Sequence, residues 1–356
     1  GARPDEVDAA IECAGRAFGG DDAERVRGVT EFFSKIHKQD PYFRPDNSRV
    51  AVVDGVIASV VQVFDREMLI QGVPVPHGGI GSVGTDPRYT RQGLSNKVLV
   101  DTAQYMTDRG IVISSLGTGI HDHYGKVGWQ RPDHHAYLEV SLPTHLPTPS
   151  DGVAIRQMDW DADRGAVARI HEQFNRDASG LIRRTPELWE ATPRWRDVDP
   201  SKRYVAEVDG QIVAYRQDSG RSDGGLDEIG HADGHESAAH ALLAHYFAAC
   251  RARGAENPHL DNITFLPWIK DVGAGVQVSY YGGWMHRIND FARLLGLLAP
   301  TMSRRLAAGD ASDWTGVVAL DTEIGAVTMQ VAESGVTVGA ASDTASDTSN
   351  VRLSFN

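Results

Sequence analysis

The residues best suited to chemistry lie between Gly79 and Leu99, in the stretch GIGSVGTDPRYTRQGLSNKVL. Ile80, Val83 and Thr85 suit a strand, Asp86-Pro87 ends it, and Leu94, Val98 and Leu99 resume at helical spacing. The pattern predicts a helix beginning near Gln92-Gly93. The first backbone N–H groups of a helix have no partner inside it, so together with the helix dipole they attract an anion. Gly93 lets a ligand approach the backbone, and Arg88 and Arg91 add positive charge beside it. The chemistry on offer is the holding of a phosphate. The plain alternative is a strand-to-helix connection whose glycine merely turns the chain.

A second apolar strand, Ile111 to Leu116, follows that helix and leads into HDHYGKVGWQRP, punctuated by Tyr124-Gly125 and Gly128-Trp129. This order resembles the GCN5-related N-acetyltransferase (GNAT) family. In that family a strand, a loop of pattern Q/R-x-x-G-x-G/A and a helix bind the pyrophosphate of acetyl-CoA, and the next strand splays away to admit the pantetheine arm. The pattern falls on Thr90, Arg91, Gln92, Gly93, Leu94 and Ser95, with Thr90 in place of Arg or Gln and Ser95 in place of Gly or Ala. The resemblance implies an acetyl-CoA site at Val83, Thr85, Arg91, Gln92, Gly93, Leu94 and Ser95, weakened by the two departures.

Composition bounds the remaining possibilities. The 356 residues, 41% of them apolar and without a long apolar run, suit two or three domains and no membrane span. The start, GARPDEVDAAIECAGRAF, lacks the order of a signal peptide, and the two cysteines, Cys13 and Cys250, lie far apart on amphipathic segments. Both read as buried inert thiols, and a reducing cytoplasm is the expected home. A formal net charge of −13 argues against nucleic-acid or anionic-membrane surfaces. It favours a cationic partner, or simply keeps the protein soluble.

The first unit, residues 1–145, reads as α/β: helices near Asp5 to Phe18 and Ala23 to Lys38, then strands Ser48 to Val53 and Val56 to Val63 joined by Asp54-Gly55, a strong hairpin signal. The opening strand and its helix through Arg109 come next, then the Ile111 strand and a last strand around His135 to Val140. The family's usual first strand survives only as Ala2-Arg3-Pro4, as though the chain begins just inside the domain. A Pro-rich link, Leu142 to Pro149, precedes a second unit, 150–284, that looks like a worn copy of the first. Val153 to Arg156 and a helix through Asn175 open it. Arg203 to Val208, Asp209-Gly210 and Gln211 to Arg216 repeat the hairpin. Where a phosphate loop belongs stand Leu226 to Ile229 and GHADGHES, so this half is expected not to bind CoA.

The third segment, 285–356, opens with a helix predicted to carry Ile288, Phe291, Leu294, Leu295 and Leu298 on one face. Trp314 to Leu320, Ala326 to Val331, Val336 to Val338 and Val351 to Leu353 then read as an antiparallel sheet. The whole order, α/β (α+β) in class, resembles the enhanced-intracellular-survival (Eis) type of acetyltransferase, with tandem GNAT domains and a sterol-carrier-like third domain, here breaking off mid-fold. That resemblance implies a homo-oligomer, a hexamer; no metal is expected.

It also assigns roles. Tyr124 matches the tyrosine placed by the acetyl sulfur as general acid. Backbone N–H groups near Val83 can stabilise the carbonyl oxygen, and a phenol of ordinary pKa about 10 can protonate the thiolate when well placed. In the Eis type the chain's terminal carboxylate, formally Asn356, takes the amine proton. Asp122, His121, His123 and a water are alternatives. The cluster His121, Asp122, His123, His134 and His135 reads as solvated or hydrogen-bonded histidines before it reads as a zinc site. Phe32, Phe33, Tyr42 and Phe43 read as core before they read as a substrate cleft. Two functions result: transfer of an acetyl group from acetyl-CoA to the amine of a small cationic molecule (polyamine, aminoglycoside-like antibiotic or lysine side chain), or non-catalytic binding of a small or lipidic ligand.

Overall fold

A computed structural model describes residues 1–356 except 133–134, 146–151, 196–198, 220–224, 256, 261–264, 341–349 and 356. It divides into two compact units. One comprises residues 1–130, 177–183 and 285–356, the other 131–176 and 184–284.

The first unit opens with helices α1 (Val7–Gly19) and α2 (Ala23–Lys38), the second started by Asp22, whose carboxylate accepts from the N–H groups of Glu24 and Arg25. Strands β1 (Ser48–Val53), β2 (Val56–Ile70) and β3 (Val73–Thr85) follow as two antiparallel hairpins. At the first turn Asp54 and Gly55 both take positive φ, at 49° and 79°, as the Asp-Gly signal requires. Helix α3 (Leu94–Asp108) then crosses to β4 (Ile113–Gly117), which pairs parallel with β3. The sheet runs β1-β2-β3-β4 and closes with Trp284–Ile288.

That last strand corrects the sequence reading. Ile288 lies on it rather than on the following helix, which spans Phe291–Ala307 and begins at Asp290, whose carboxylate accepts from the Arg293 N–H. Leu294 of this helix joins Met68, Val75 and Val112 in a buried cluster of the first unit. The C-terminal sheet is ordered 335–340, 325–332, 316–322, 350–355. Its last strand runs parallel to Gly316–Thr322, not antiparallel as expected, because it joins the edge opposite the strand it follows.

In the second unit the strand β5 (His135–Ser141), whose order placed it in the first sheet, pairs instead with Gly275–Tyr281 and His259–Leu260. That sheet continues through Gly225–His231, Gln211–Asp218 and Arg203–Val208 to Ala154–Gln157. Its core gathers Leu138 and Val140 with Leu242, Leu243 and Phe247 of the helix Glu236–Ala252. Asp209-Gly210 again supplies a positive-φ turn. Cys13 and Cys250 are free and buried, and burial pushes the Cys13 thiol up to about 11. Among the described residues no helix is long and apolar enough to cross a membrane.

Candidate active site

The site begins where β3 loses its partners. β3 and β4 pair only at His77–Ile113, Gly78–Ser114 and Gly79–Ser115, so beyond Gly79 the two parallel strands part. On its other side the ladder with β2 slips: Gln62 faces Gly81 and Val60 faces Gly84, leaving Ser82 and Val83 opposite the single residue Val61. This β-bulge leaves a backbone group unpaired and re-aims the strand. Ser82 sits at φ 48°, a left-handed conformation uncommon for a residue with a Cβ. Its hydroxyl lies 2.9 Å from Nε2 of His37, which is 2% exposed.

The turn after β3 is anchored by Asp86, fully buried. Its carboxylate accepts from Arg88 Nη2 (2.8 Å), Arg88 Nε and N (both 3.0 Å) and Arg16 Nε (2.6 Å). These bonds, those from Arg88 foremost, hold its pKa well below the usual carboxylate range. Arg88 therefore spends its charge on Asp86 and does not stand free beside the loop, as its position in sequence implied. Arg91, at φ 61°, has no ion-pair partner among the described residues.

Gly93, at φ 71°, is the residue before α3, and no side chain caps the helix. Together with Thr85, Arg91, Leu94 and Ser95 it lines a cavity of about 300 Å³. The cavity thus unites five of the expected cofactor residues. It adds Thr90 of the loop pattern, His123, one of the candidate bases, and Tyr89 and Asn96, which spacing alone did not mark. Gln92 is exposed on the loop, and neither it nor Val83 is among the lining residues. Ser95, the departure from the family pattern, puts its hydroxyl 2.9 Å from Nε2 of His123 and so ties the first turn of α3 to the next element.

That element is the one-turn helix α4 (His121–Gly125). The Tyr124 carbonyl accepts from Val127 (2.9 Å) and Trp129 (3.3 Å), which fixes the turn. The Tyr124 ring is buried in a cluster that includes Ile80 of β3 and Leu116 of β4, the strands that diverge, with Val83 packed against it. Burial raises its pKa and a bond with Thr118 opposes the rise, so the phenol stays protonated at neutral pH. His121 Nε2 is buried without a hydrogen bond. Among the described residues no three His, Cys, Asp or Glu side chains are placed to hold a metal ion. His134, the side chain of His135 and Asn356 lie outside the described residues.

The aromatic group divides. Phe33 is core and Phe43 packs against it, whereas Phe32 is 55% exposed. Between Phe33 and Phe43 lies the ring of His37, stacked on both and edge-on to Phe64. Asp40, the nearby buried carboxylate, is held by Arg66 through bonds of 2.6 and 3.2 Å.

Residues 1–131 match the family of acetyltransferase (GNAT) domains. The N-terminal part of the chain is therefore similar to GNAT acetyltransferase domains. An uncharacterized N-acetyltransferase of Streptomyces avermitilis is 24% identical over 162 residues, which span 44% of this chain and 39% of that protein. Among solved structures, a probable N-acyltransferase from Enterococcus faecalis superposes with a TM-score of 0.71 at 18% identity, covering 96% of this chain and 84% of that one. A GCN5-related N-acetyltransferase from Anabaena variabilis gives 0.68 at 16%, covering 99% and 86%. Eis1 from Mycobacterium abscessus gives 0.61 at 17%, covering 96% and 84%. These likenesses extend a shared α/β fold over nearly the whole chain.

Proposed function

We propose that the chain is an acetyl-CoA-dependent N-acetyltransferase acting on the primary amine of a small cationic molecule such as a polyamine, an aminoglycoside-like antibiotic or a lysine side chain. The observation that carries this reading is the bulge at Ser82–Val83, on a strand that parts from its neighbour beside an uncapped helix start. Acetyl-CoA, when bound, supplies a thioester open to attack by the amine.

The chain's part follows from its geometry. The N–H groups of Leu94, Ser95 and Asn96, with Arg91, hold the pyrophosphate at the positive end of α3, and Thr85 and Gln92 flank it. The N–H freed by the bulge at Val83 donates to the thioester oxygen as charge develops there. The amine nitrogen forms a bond to the carbonyl carbon, the carbon–sulfur bond breaks, and the amine proton leaves to a base. The phenol of Tyr124 gives its proton to the departing thiolate, and the products are an amide and free CoA. No covalent bond to the enzyme forms. The base is the chain's terminal carboxylate, Asp122, His121, His123 or a water. The acidic net charge supports a cationic acceptor. In the same reading residues 285–356 form a sterol-carrier-like domain and the protein is a homo-oligomer of the cytoplasm.

Titration calorimetry with acetyl-CoA tests the first half. Saturable binding supports it, and no heat at ~1 mM ligand, the upper end of ordinary KM values, rejects it. Thiol release on a panel of amines then identifies the acceptor. Tyr124→Phe is expected to lower kcat by about a hundredfold while leaving acetyl-CoA affinity intact, and undiminished turnover would remove Tyr124 from the mechanism.

A further inference from the structure

The bulge on β3 is set by pairing, but pairing alone does not explain why Ser82 tolerates φ 48°. Such a conformation persists where its surroundings over-determine it. Here the surroundings are specific. Ser82 Oγ is 2.9 Å from His37 Nε2, a polar bond from α2 to the bulge. His37 cannot swing away: its ring is stacked on Phe33 and Phe43, with centroids 5.9 and 6.3 Å off, and meets Phe64 edge-on at 5.6 Å. Phe64 is itself pinned, since a Cβ on Gly81 would come within 2.9 Å of its ring. His37 Nδ1 has no hydrogen-bond partner, so Ser82 is the single polar attachment of its ring among the described residues.

We propose that His37 is a positioning residue for acyl transfer: through Ser82 it clamps the bulge so that the Val83 N–H is held toward the thioester oxygen. The assignment rests on the acetyltransferase reading of the same site. The chemistry asks for such a clamp, because an oxyanion donor is effective only when fixed before charge develops. The Val83 N–H lies where β3 has left β4 and where its ladder with β2 is interrupted, between the pairs Gln62–Gly81 and Val60–Gly84. His37 is suited to the task because burial brings its pKa down to about 4, so the ring stays neutral across the physiological range and donates or accepts a single bond to Ser82. A serine without the histidine could rotate to other partners. A histidine without the ring stack could follow the serine.

Infrared spectra of acetyl-CoA carrying ¹³C at the thioester carbonyl, bound to the whole chain, give a direct readout, because a hydrogen bond to the oxygen lowers the stretching frequency. The expected result is a lowered band in the unaltered protein and a return toward the free value in His37→Phe and Ser82→Gly. The first keeps an aromatic ring in the stack. The second accepts positive φ without strain, so that loss of the clamp is separated from failure to fold. In both, kcat is expected to fall about tenfold to a hundredfold with acetyl-CoA affinity within about twofold, and His37→Gln, which keeps a polar end, is expected to recover part of the loss. An unshifted band and full kcat in both variants overturn the clamp while leaving the acetyltransferase reading in place. If the unaltered chain itself fails to bind acetyl-CoA, that reading falls and the clamp with it.

Discussion

Each compact unit contains a strand that leads through a glycine-bearing loop into a long helix, and the two junctions differ in ways that decide what each can hold. In the first unit, Gly93 at φ 71° precedes α3, the first turn carries no acidic residue, and a cavity opens onto it. In the second, Gly234 at φ 77° and His235 precede the helix Glu236–Ala252, whose first residue is acidic. The preceding strands are alike in being bulged, β3 at Ser82–Val83 and Gly225–His231 between Leu226 and Glu228, but in the second Glu228 beside the bulge is tied to Arg184 (2.5 Å) and to the Tyr215 hydroxyl (2.5 Å), with His171 at 3.6 Å. His171 in turn meets Trp189 edge-on. The same order of elements thus carries a cavity at the helix start in one unit and a buried ionic cluster on the preceding strand in the other. The lesson is that element order specifies the scaffold, while a handful of side chains at the junction decides whether there is a site.

The sharpest way to break this comparison is a matched pair of glycine variants. An added Cβ meets nothing within 4 Å at either Gly93 or Gly234, and both glycines have positive φ. Gly93→Val and Gly234→Val should therefore each cost a similar ~1–2 kcal/mol of stability from backbone strain alone. Only the first should also weaken acetyl-CoA, by about a hundredfold, because the side chain and the shifted backbone block close approach to the phosphates. Denaturation midpoints and calorimetric affinities measured on both variants check this. Equal affinity losses in the two would place the cofactor elsewhere.

A smaller effect sharpens the electrostatic half of the argument. Leu94→Glu copies into the first unit the acidic first turn that Glu236 gives the second. It should reduce acetyl-CoA affinity about tenfold at low salt and less at high salt, since the new carboxylate competes for the helix N-terminus. The mirror variant, Glu236→Leu, should leave the stoichiometry at one acetyl-CoA per chain, because the Glu228 cluster still holds the preceding strand. Two bound per chain would show that one charge alone had silenced the second unit.

Much of this was legible in the sequence, for reasons that can be named. Asp54-Gly55 and Asp209-Gly210 announced hairpins because two successive positive-φ residues admit few types, and the helix start beside Gly93 followed from a change of period. The apolar pattern of β2 ends at Val63, where Asp65, Arg66 and Glu67 interrupt it, yet the strand continues to Ile70 in register with β3. The partner of β5 was not legible, since alternation fixes a strand's faces and not its neighbour. For the same reason the bulge at Ser82 was hidden: a bulge is a relation between two strands, and only the close glycines Gly81 and Gly84 around it hinted at one. Asp86 was read only as a strand end. Its grip on Arg16, 70 positions away, could not be read from spacing, and its further bonds to Arg88 take up the charge that the sequence offered to the loop.

The smallest predicted effect compares the units through their buried histidines. Burial lowers His37 to about 4 and His77 to about 3 in the first unit, and lowers His171 to about 4 in the second. An unfolded histidine takes its proton near pH 6.5, whereas these take theirs only near or below pH 4. Between those limits the unfolded chain binds more protons, so the stability these groups contribute is present above about pH 6.5 and drains away as the pH falls. Each group can account for at most about 1.4 kcal/mol per pH unit. Burial also lowers His123 and His286 in the first unit and His240 and His245 in the second, so with four lowered histidines against three the first unit should weaken more steeply between pH 6.5 and 4.5. Hydrogen exchange of amides in β3 and in Gly225–His231, corrected for intrinsic rates, measures the two slopes separately. His37→Phe removes one titrating group and should bring the first slope toward the second, whereas an unchanged slope would show that His37 takes up its proton before the fold opens.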